Sequence, residues 1–433
     1  MNNEKTKQEQ AKKSYALPIA IMFALFFMIA FVTGYQNPLG KVIESMSSGN
    51  TVMSQLGTFA NFIAYAFMGL PAGIILQKKG YRYTALAAVT VGFIGVAVTY
   101  LSGFIADNTT AVAIYLLGAF IAGFSMCMLN TVVNPMLNSL GSTPNQGNQL
   151  VQFGGSCNSL GATLAPVIVG GLIGGSASTI SSANPVFFLA MGIFAAAFLV
   201  LYLSKLPESP TLGQKQEDIK ITGAFSFPNF SFGMLAIFCY VGVEVGIANW
   251  GFQYLDKSTL VAENNPPEII AAIAGTVVGL YWLLMLVGRL VGGMIGSKVS
   301  SRTMLAVTTA VAICLMIAGI KCEESVVPFI GFDSKTLSFS VVQIPLNAVF
   351  FILCGLCTSV MWGAIFNLAV TGLGKYTAVA SGLFMVMVCG GGIFPTIQGV
   401  IANNSIINSF WLPVALTAYM FIYAIYLSRL QKK

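Results

Sequence analysis

The residue with the most chemistry in the least polar surroundings is Glu244. It lies in Ala236-Ile-Phe-Cys-Tyr-Val-Gly-Val-Glu-Val-Gly-Ile-Ala-Asn249, about fourteen residues into an apolar run. The other thirteen acids fall in tails, between apolar runs or near their ends. An ionisable group at mid-membrane costs about 2.5 to 3.5 kcal/mol on insertion scales, so one that persists there needs a reason. Desolvation disfavours a charged carboxylate. An unpaired Glu244 would exchange a proton near neutral pH or stay ionised with a cation bound, and either chemistry makes it the candidate for ion coupling. The structural alternative is a neutral acid hydrogen-bonded between helices. Arg289, in Gly288-Arg-Leu-Val-Gly292, reads as a gating or packing charge near the membrane interface rather than a substrate ligand.

Amides form the second set: Gln36, Asn37, Asn130, Asn134, Gln152, Asn158, Asn249 and Gln253 all stand in or beside apolar runs. An amide offers both donors and acceptors, which is what a hydroxyl-rich solute such as a sugar needs. Trp250, Tyr281, Trp282 and Trp362 add flat faces suited to the C–H faces of pyranose rings. A single Asn in a membrane helix also serves as interhelical glue, so the set carries more weight than any member.

Other chemistries are excluded by composition. The 433 residues are 56% hydrophobic and 8% charged, against roughly a quarter charged in soluble domains, and their mean hydropathy is +0.81. There is no His, which removes imidazole metal sites, Ser-His triads and His proton relays together. Seven of the eight Cys lie in apolar stretches, where Cys behaves as a small hydrophobe. Cys354-Gly-Leu-Cys357 has redox spacing without a soluble context and reads as packing. Gly374-Lys375 lacks the upstream loop of a phosphate-binding motif. The net charge of +7 suggests no nucleic-acid partner, because the basic residues stand in short segments between apolar runs. No cofactor is expected beyond a co-transported proton or sodium ion.

These groups must be positioned by membrane helices. About twenty apolar residues span a bilayer, and twelve such runs occur: 15–38, 52–77, 83–104, 111–138, 150–174, 184–204, 231–255, 267–297, 303–320, 343–372, 377–401 and 407–428. The expectation is an all-α membrane protein with twelve transmembrane helices in two six-helix bundles. Residues 1–14 read as a cytoplasmic tail without a cleavage pattern, 15–204 as the first bundle, 205–230 as a cytoplasmic linker, 231–428 as the second bundle and 429–433 as a second tail. With both termini inside, sixteen Lys and Arg residues fall on the cytoplasmic side and four, Lys41, Lys257, Lys321 and Lys335, on the other. That asymmetry follows the positive-inside rule and predicts a multi-pass protein of the bacterial cytoplasmic (inner) membrane.

The halves echo each other. Gly69-Leu-Pro-Ala-Gly73 precedes Lys78, Lys79 and Arg82, and Gly288-Arg-Leu-Val-Gly292 precedes Lys298 and Arg302, 219 residues later. Asn134-Pro-Met-Leu-Asn-Ser-Leu-Gly141 is matched by Asn367-Leu-Ala-Val-Thr-Gly-Leu-Gly374 at the same end of the fourth span of each half. Two six-helix halves related by an axis along the membrane normal describe the major facilitator plan, with substrate between the halves near the midplane.

The sequence resembles the fucose:proton symporter family, the fucose–galactose–glucose branch of that superfamily. The matching stretches are Cys127-Met-Leu-Asn-Thr-Val-Val-Asn-Pro135, Asn158-Ser-Leu-Gly-Ala162, Phe238-Cys-Tyr-Val-Gly242, Gly288-Arg289, Ser359-Val-Met-Trp362 and Gly390-Gly-Gly392. The resemblance implies monosaccharide uptake driven by an ion gradient. In that family, carboxylates in spans one and four bind substrate and couple protons, and Asn37 and Asn130 stand at those positions here. Asn keeps the hydrogen-bonding shape but carries no proton. The family's span-seven motif is uncharged where this chain has Glu244, so the coupling carboxylate is expected to have moved to span seven, with sodium as a second possible ion through Glu244 and amide oxygens.

The resulting expectation is symport of a hexose, deoxyhexose or amino sugar by a monomer in membrane lipid. An acidic sugar such as sialic acid is the alternative and would want a cationic partner, which the sequence does not place centrally. Export of a drug or metabolite would suit a more apolar cavity. A membrane enzyme or receptor would need a nucleophile–base pair, a metal constellation or a signalling module, and the sequence displays none of these.

Overall fold

Hydrocarbon offers no hydrogen-bond partner, so a chain crossing it must satisfy its backbone within each segment, and helices do so. The computed structural model describes residues 2–47, 50, 52–141, 144–173, 179–208, 221–295, 299–323, 325–333, 338–373 and 383–430. Among them are twelve helical segments long and apolar enough to span a bilayer: Tyr15–Met46, Met53–Leu76, Lys78–Ser102, Asn108–Leu137, Phe153–Ile173, Ile180–Leu203, Pro228–Asp256, Ala272–Ile295, Ser301–Lys321, Leu346–Val370, Leu383–Ala402 and Ile406–Arg429. These are spans one to twelve, and each overlaps its predicted run. Thr84, Thr99, Thr276, Thr309 and Thr417 return their hydroxyls to the carbonyl four residues back. Such back-bonding satisfies a polar side chain inside its own helix, so these threonines mark no site. Asp107 accepts from the Thr110 amide at 2.8 Å and starts span four, and Ser300 does the same for span nine through Thr303 at 3.1 Å.

Twelve spans place both ends on one face, called here the tail face. On the opposite face the all-α fold carries one short β ribbon. Strands β1 (Val326–Asp333) and β2 (Ser338–Pro345) form an antiparallel hairpin, with Val326 opposite Pro345 and Asp333 opposite Ser338. Residues 343–345, predicted to open span ten, belong to β2. The ribbon is one-sided, since Val342 and Ile344 are buried while Phe339 and Val341 are exposed. Asn265 pins it, donating to the Gln343 carbonyl at 2.8 Å and accepting from the Gln343 amide at 3.1 Å.

Span one also runs further than predicted. Its helix begins at Asn2, breaks at Tyr35 and resumes over Gln36–Met46. Lys41 and Glu44 suggested an end to the apolar run, but both are paired across the molecule. Span seven starts at Pro228, before the predicted 231, and residues 209–220 of the linker lie outside the described residues, as do 377–382 of predicted span eleven.

Span one packs against spans four, five and six, and span seven against spans eight, ten, eleven and twelve. Between these two sets, span five runs along span eight and span eleven along span two. Small residues permit the approach: a Cβ on Gly279 would lie 3.0 Å from the Thr163 carbonyl oxygen, and one on Gly392 2.9 Å from that of Phe59. The turn between spans two and three depends on Gly80, whose φ is 82° and ψ 178°, a region essentially reserved for glycine. There the Glu208 carboxylate accepts from the Tyr81 amide at 2.7 Å and the Arg82 amide at 3.3 Å, so the start of the linker caps span three. A Gly80→Ala variant strains this backbone by about 1–3 kcal/mol and also collides with Glu208. Its thermal unfolding in detergent is expected below that of the parent, and an unchanged transition would refute this account of the turn.

Candidate functional site

Glu244 stands sixteen residues beyond Pro228, about 24 Å along a helix of about 43 Å. Its side chain points at the seam between the halves. Arg289 of span eight donates from Nη2 to Glu244 Oε1 at 3.4 Å, and the two side chains are each 14% exposed. The premise of an unpaired Glu244 is therefore corrected. Arg289 enters span eight only about two turns from the tail face, but its long side chain carries the guanidinium inward. Its Nη1 donates to the Gly155 carbonyl at 2.7 Å and to Ser159 Oγ at 2.8 Å, both on span five of the other half.

Hydroxyls and rings surround the pair. The Tyr281 hydroxyl lies 3.2 Å from the Glu244 carbonyl oxygen and 3.2 Å from Thr358 Oγ1 of span ten. Tyr240, one turn before Glu244, is buried beside Glu244 and Arg289. Trp362 meets Tyr240 edge to face with centroids 6.0 Å apart, and Trp282 meets Tyr281 likewise at 5.2 Å. Tyr281 thus adjoins Glu244, while Trp282 and Trp362 are linked to it through Tyr281 and Tyr240. Trp250 is not. It is fully buried and its ring N–H donates to the Pro395 carbonyl at 2.9 Å, which makes it a tie between spans seven and eleven rather than an open sugar platform.

The amides divide by partner. Asn158 donates to the Phe26 carbonyl at 3.0 Å and binds span five to span one, and Asn134 donates to the Asn130 carbonyl at 3.0 Å within span four. Both serve helix structure here. Asn130 donates to the Tyr65 hydroxyl at 3.0 Å and to the Met126 carbonyl at 3.1 Å. Gln36 accepts from the Tyr115 hydroxyl, while its own Nε2 is buried without a partner, as is Gln253 Oε1. Asn249 crosses the seam, donating to Gln55 Oε1 at 2.8 Å and Thr58 Oγ1 at 3.3 Å. The side chains of Asn37 and Gln152 lie outside the described residues. A small pocket on the other side of Tyr281, between spans seven, eight and ten, is lined by Ile247, Gly251, Val278, Ala348 and Phe351 among others, and it is too apolar to hold a polyol.

Sequence reasoning missed Ser159 and Tyr65, whose roles depend on partners far along the chain. Tyr240 was missed as well, although a residue four before Glu244 shares its helix face and that spacing could have found it. Also missed were two crossed ion pairs on the hairpin face. Lys41 of span one meets Asp256 of span seven at 2.7 Å, and Glu44 of span one meets Lys257 just beyond span seven. The acids are 9% exposed or less and the lysines about a third or more. Lys41→Glu would set two carboxylates against each other and is expected to cost about 1–2 kcal/mol, between the exposed and buried limits. Thermal melts should show that loss, and the swap Lys41→Asp with Asp256→Lys should recover part of it. Equal melts for all three proteins would remove these pairs from the stability of the closed face.

Residues 19–395 match the Major Facilitator Superfamily. A glucose/galactose transporter of Brucella abortus is 27% identical over 437 residues, covering 98% of this chain and 97% of the relative. The L-fucose-proton symporter of Escherichia coli is 23% identical over 448 residues, covering 96% and 94%. A crystal structure of an E. coli fucose:proton symporter variant superposes with a TM-score of 0.66 at 20% identity, covering 96% of this chain and 99% of that one. With the match to the superfamily extending over most of its length, the chain belongs to the Major Facilitator Superfamily.

Proposed function

We propose that this protein takes up a monosaccharide (a hexose, deoxyhexose or amino sugar) by cation symport, with the two halves alternating access around a central site. It acts as a monomer in the bacterial cytoplasmic membrane with both termini inside, the orientation that the Lys and Arg asymmetry supports. The named relatives transport glucose, galactose or fucose rather than catalyse reactions. Amides and aromatic rings on the seam suit such ligands.

The observation that carries the reading is the Glu244–Arg289 pair at the boundary between halves. An ionisable carboxylate there links ion binding to the surfaces that must separate. Its surroundings favour a proton over sodium. A sodium ion needs several hard oxygen ligands, whereas the groups facing Glu244 are a guanidinium and tyrosine hydroxyls. Neutral sugars are preferred to sialic acid. The structure does bring a cation inward, but Arg289 is already shared between Glu244 and span five. A drug exporter is disfavoured by the polar seam.

Substituting Glu244→Gln is expected to abolish gradient-driven accumulation in membrane vesicles while sugar exchange across the membrane persists. Undiminished accumulation would end the coupling role. A thermal-shift screen with neutral hexoses, fucose, amino sugars and sialic acid, each with and without sodium, identifies the ligand. A ligand at a hundred times its Kd stabilises the folded form by about 2.7 kcal/mol. Stabilisation by sialic acid alone would overturn the neutral-sugar reading.

A further inference from the structure

We infer that Arg289 ties the ion state of Glu244 to closure of the tail face, with Ser159 and the Gly155 carbonyl as its docking partners. The inference rests on the reading of Glu244 as the coupling group. A guanidinium carries five N–H donors in a fixed plane and no acceptor. Here its donors are split between the halves. Two contacts with span five, at 2.7 and 2.8 Å, have the length of good charge-assisted bonds, while the contact with Glu244 is 3.4 Å. Arg289 is thus docked on the opposite half and only loosely held by its counter-charge.

Two demands therefore compete for one side chain. A bare Glu244 carboxylate attracts Arg289 strongly in a low dielectric and draws it away from span five. A proton added to a Glu244 carboxyl oxygen neutralises that competitor, raises the charge of the pair by one and leaves Arg289 on Ser159 and Gly155. The ionisable groups around Glu244 are Tyr240 on its own span, Arg289 and Tyr281 on span eight, and Cys354 of span ten beyond Tyr281. Span five contributes a hydroxyl and a carbonyl. Arg289 lies against Gly155, where an added Cβ would make ordinary contact with it at 3.7 Å. Spans five and eight continue in contact past this point through Gly279 and Gly275, so release of Arg289 frees the tail-face end of that contact. The consequence is a safeguard. A carrier loaded with a proton but no sugar stays shut at the tail face, and the ion cannot cross alone.

The test uses the full-length protein in proteoliposomes, with proton entry without sugar read by a trapped pH dye and sugar exchange measured in parallel. Ser159→Ala is expected to raise the sugar-free proton leak by about two- to tenfold, the range for one lost hydrogen bond, while exchange persists. Arg289→Lys, which cannot span both partners, is expected to leak at least as much. Amide hydrogen exchange over residues 153–159, corrected for intrinsic pH dependence, should slow on acidification and in Glu244→Gln, and this response should vanish in Ser159→Ala and Arg289→Lys. If Glu244→Gln loses accumulation but both other variants keep the parent's leak and exchange response, this inference alone falls. If Glu244→Gln still accumulates sugar, the coupling reading falls and takes the inference with it.

Discussion

A charge in hydrocarbon persists only beside a counter-charge or a full set of hydrogen bonds, and that constraint organises the seam between the two halves of this protein. The ion pairs there draw on span seven or the residue that follows it: Arg289 with Glu244, Lys41 with Asp256, and Lys257 with Glu44. The Asn249 amide adds a fourth polar tie, to Gln55 and Thr58. Span seven is accordingly the most buried of the twelve. The halves also meet through glycines such as Gly279 and Gly392, whose close contacts are insensitive to ions. Polar ties are the ones that a bound ion or solute can break, which is what a bistable seam requires.

The same constraint explains why only part of the amide set faces the seam. In lipid an amide must find a partner before it can bind a solute, and the nearest partner is often the helix's own backbone or an adjacent helix of the same half. Asn134 and Asn158 are used in this way. Asn130 shares its donors between a hydroxyl and a carbonyl, while Gln36 and Gln253 each retain a buried atom with no partner. The residues with spare hydrogen-bonding capacity are thus a subset that composition does not separate from the rest.

Similarity at about a quarter identity over nearly the whole chain goes with a shared fold, yet solute choice resides in a handful of side chains. Under the proposed function, the Arg289–Glu244 pair and the adjoining rings of Tyr240 and Tyr281 are the candidates for that handful. The crossed pairs on the hairpin face sit at a different depth and hold the opposite end of the seam. Both sets of charges involve span seven or the residue that follows it.

The sequence by itself determined that twelve helices are long and apolar enough to cross a membrane, that they follow the two-bundle plan and that Glu244 lies further than any other acid from the ends of its apolar run. Each of these depends on local composition or on repetition along the chain, because the thickness of the bilayer and the cost of burying charge act on every segment separately. Even there it misjudged the end of span one, since charges at Lys41 and Glu44 look like a boundary until their partners some 213 to 215 residues away are known. The β-hairpin was hidden for a similar reason, as Asn265 and burial of one face hold a ribbon with little signal of its own. Only the tertiary structure decided that Glu244 is paired, that Arg289 reaches span five and that Trp250 is core. A side chain several ångströms long chooses among partners on other helices, and that choice is made by packing.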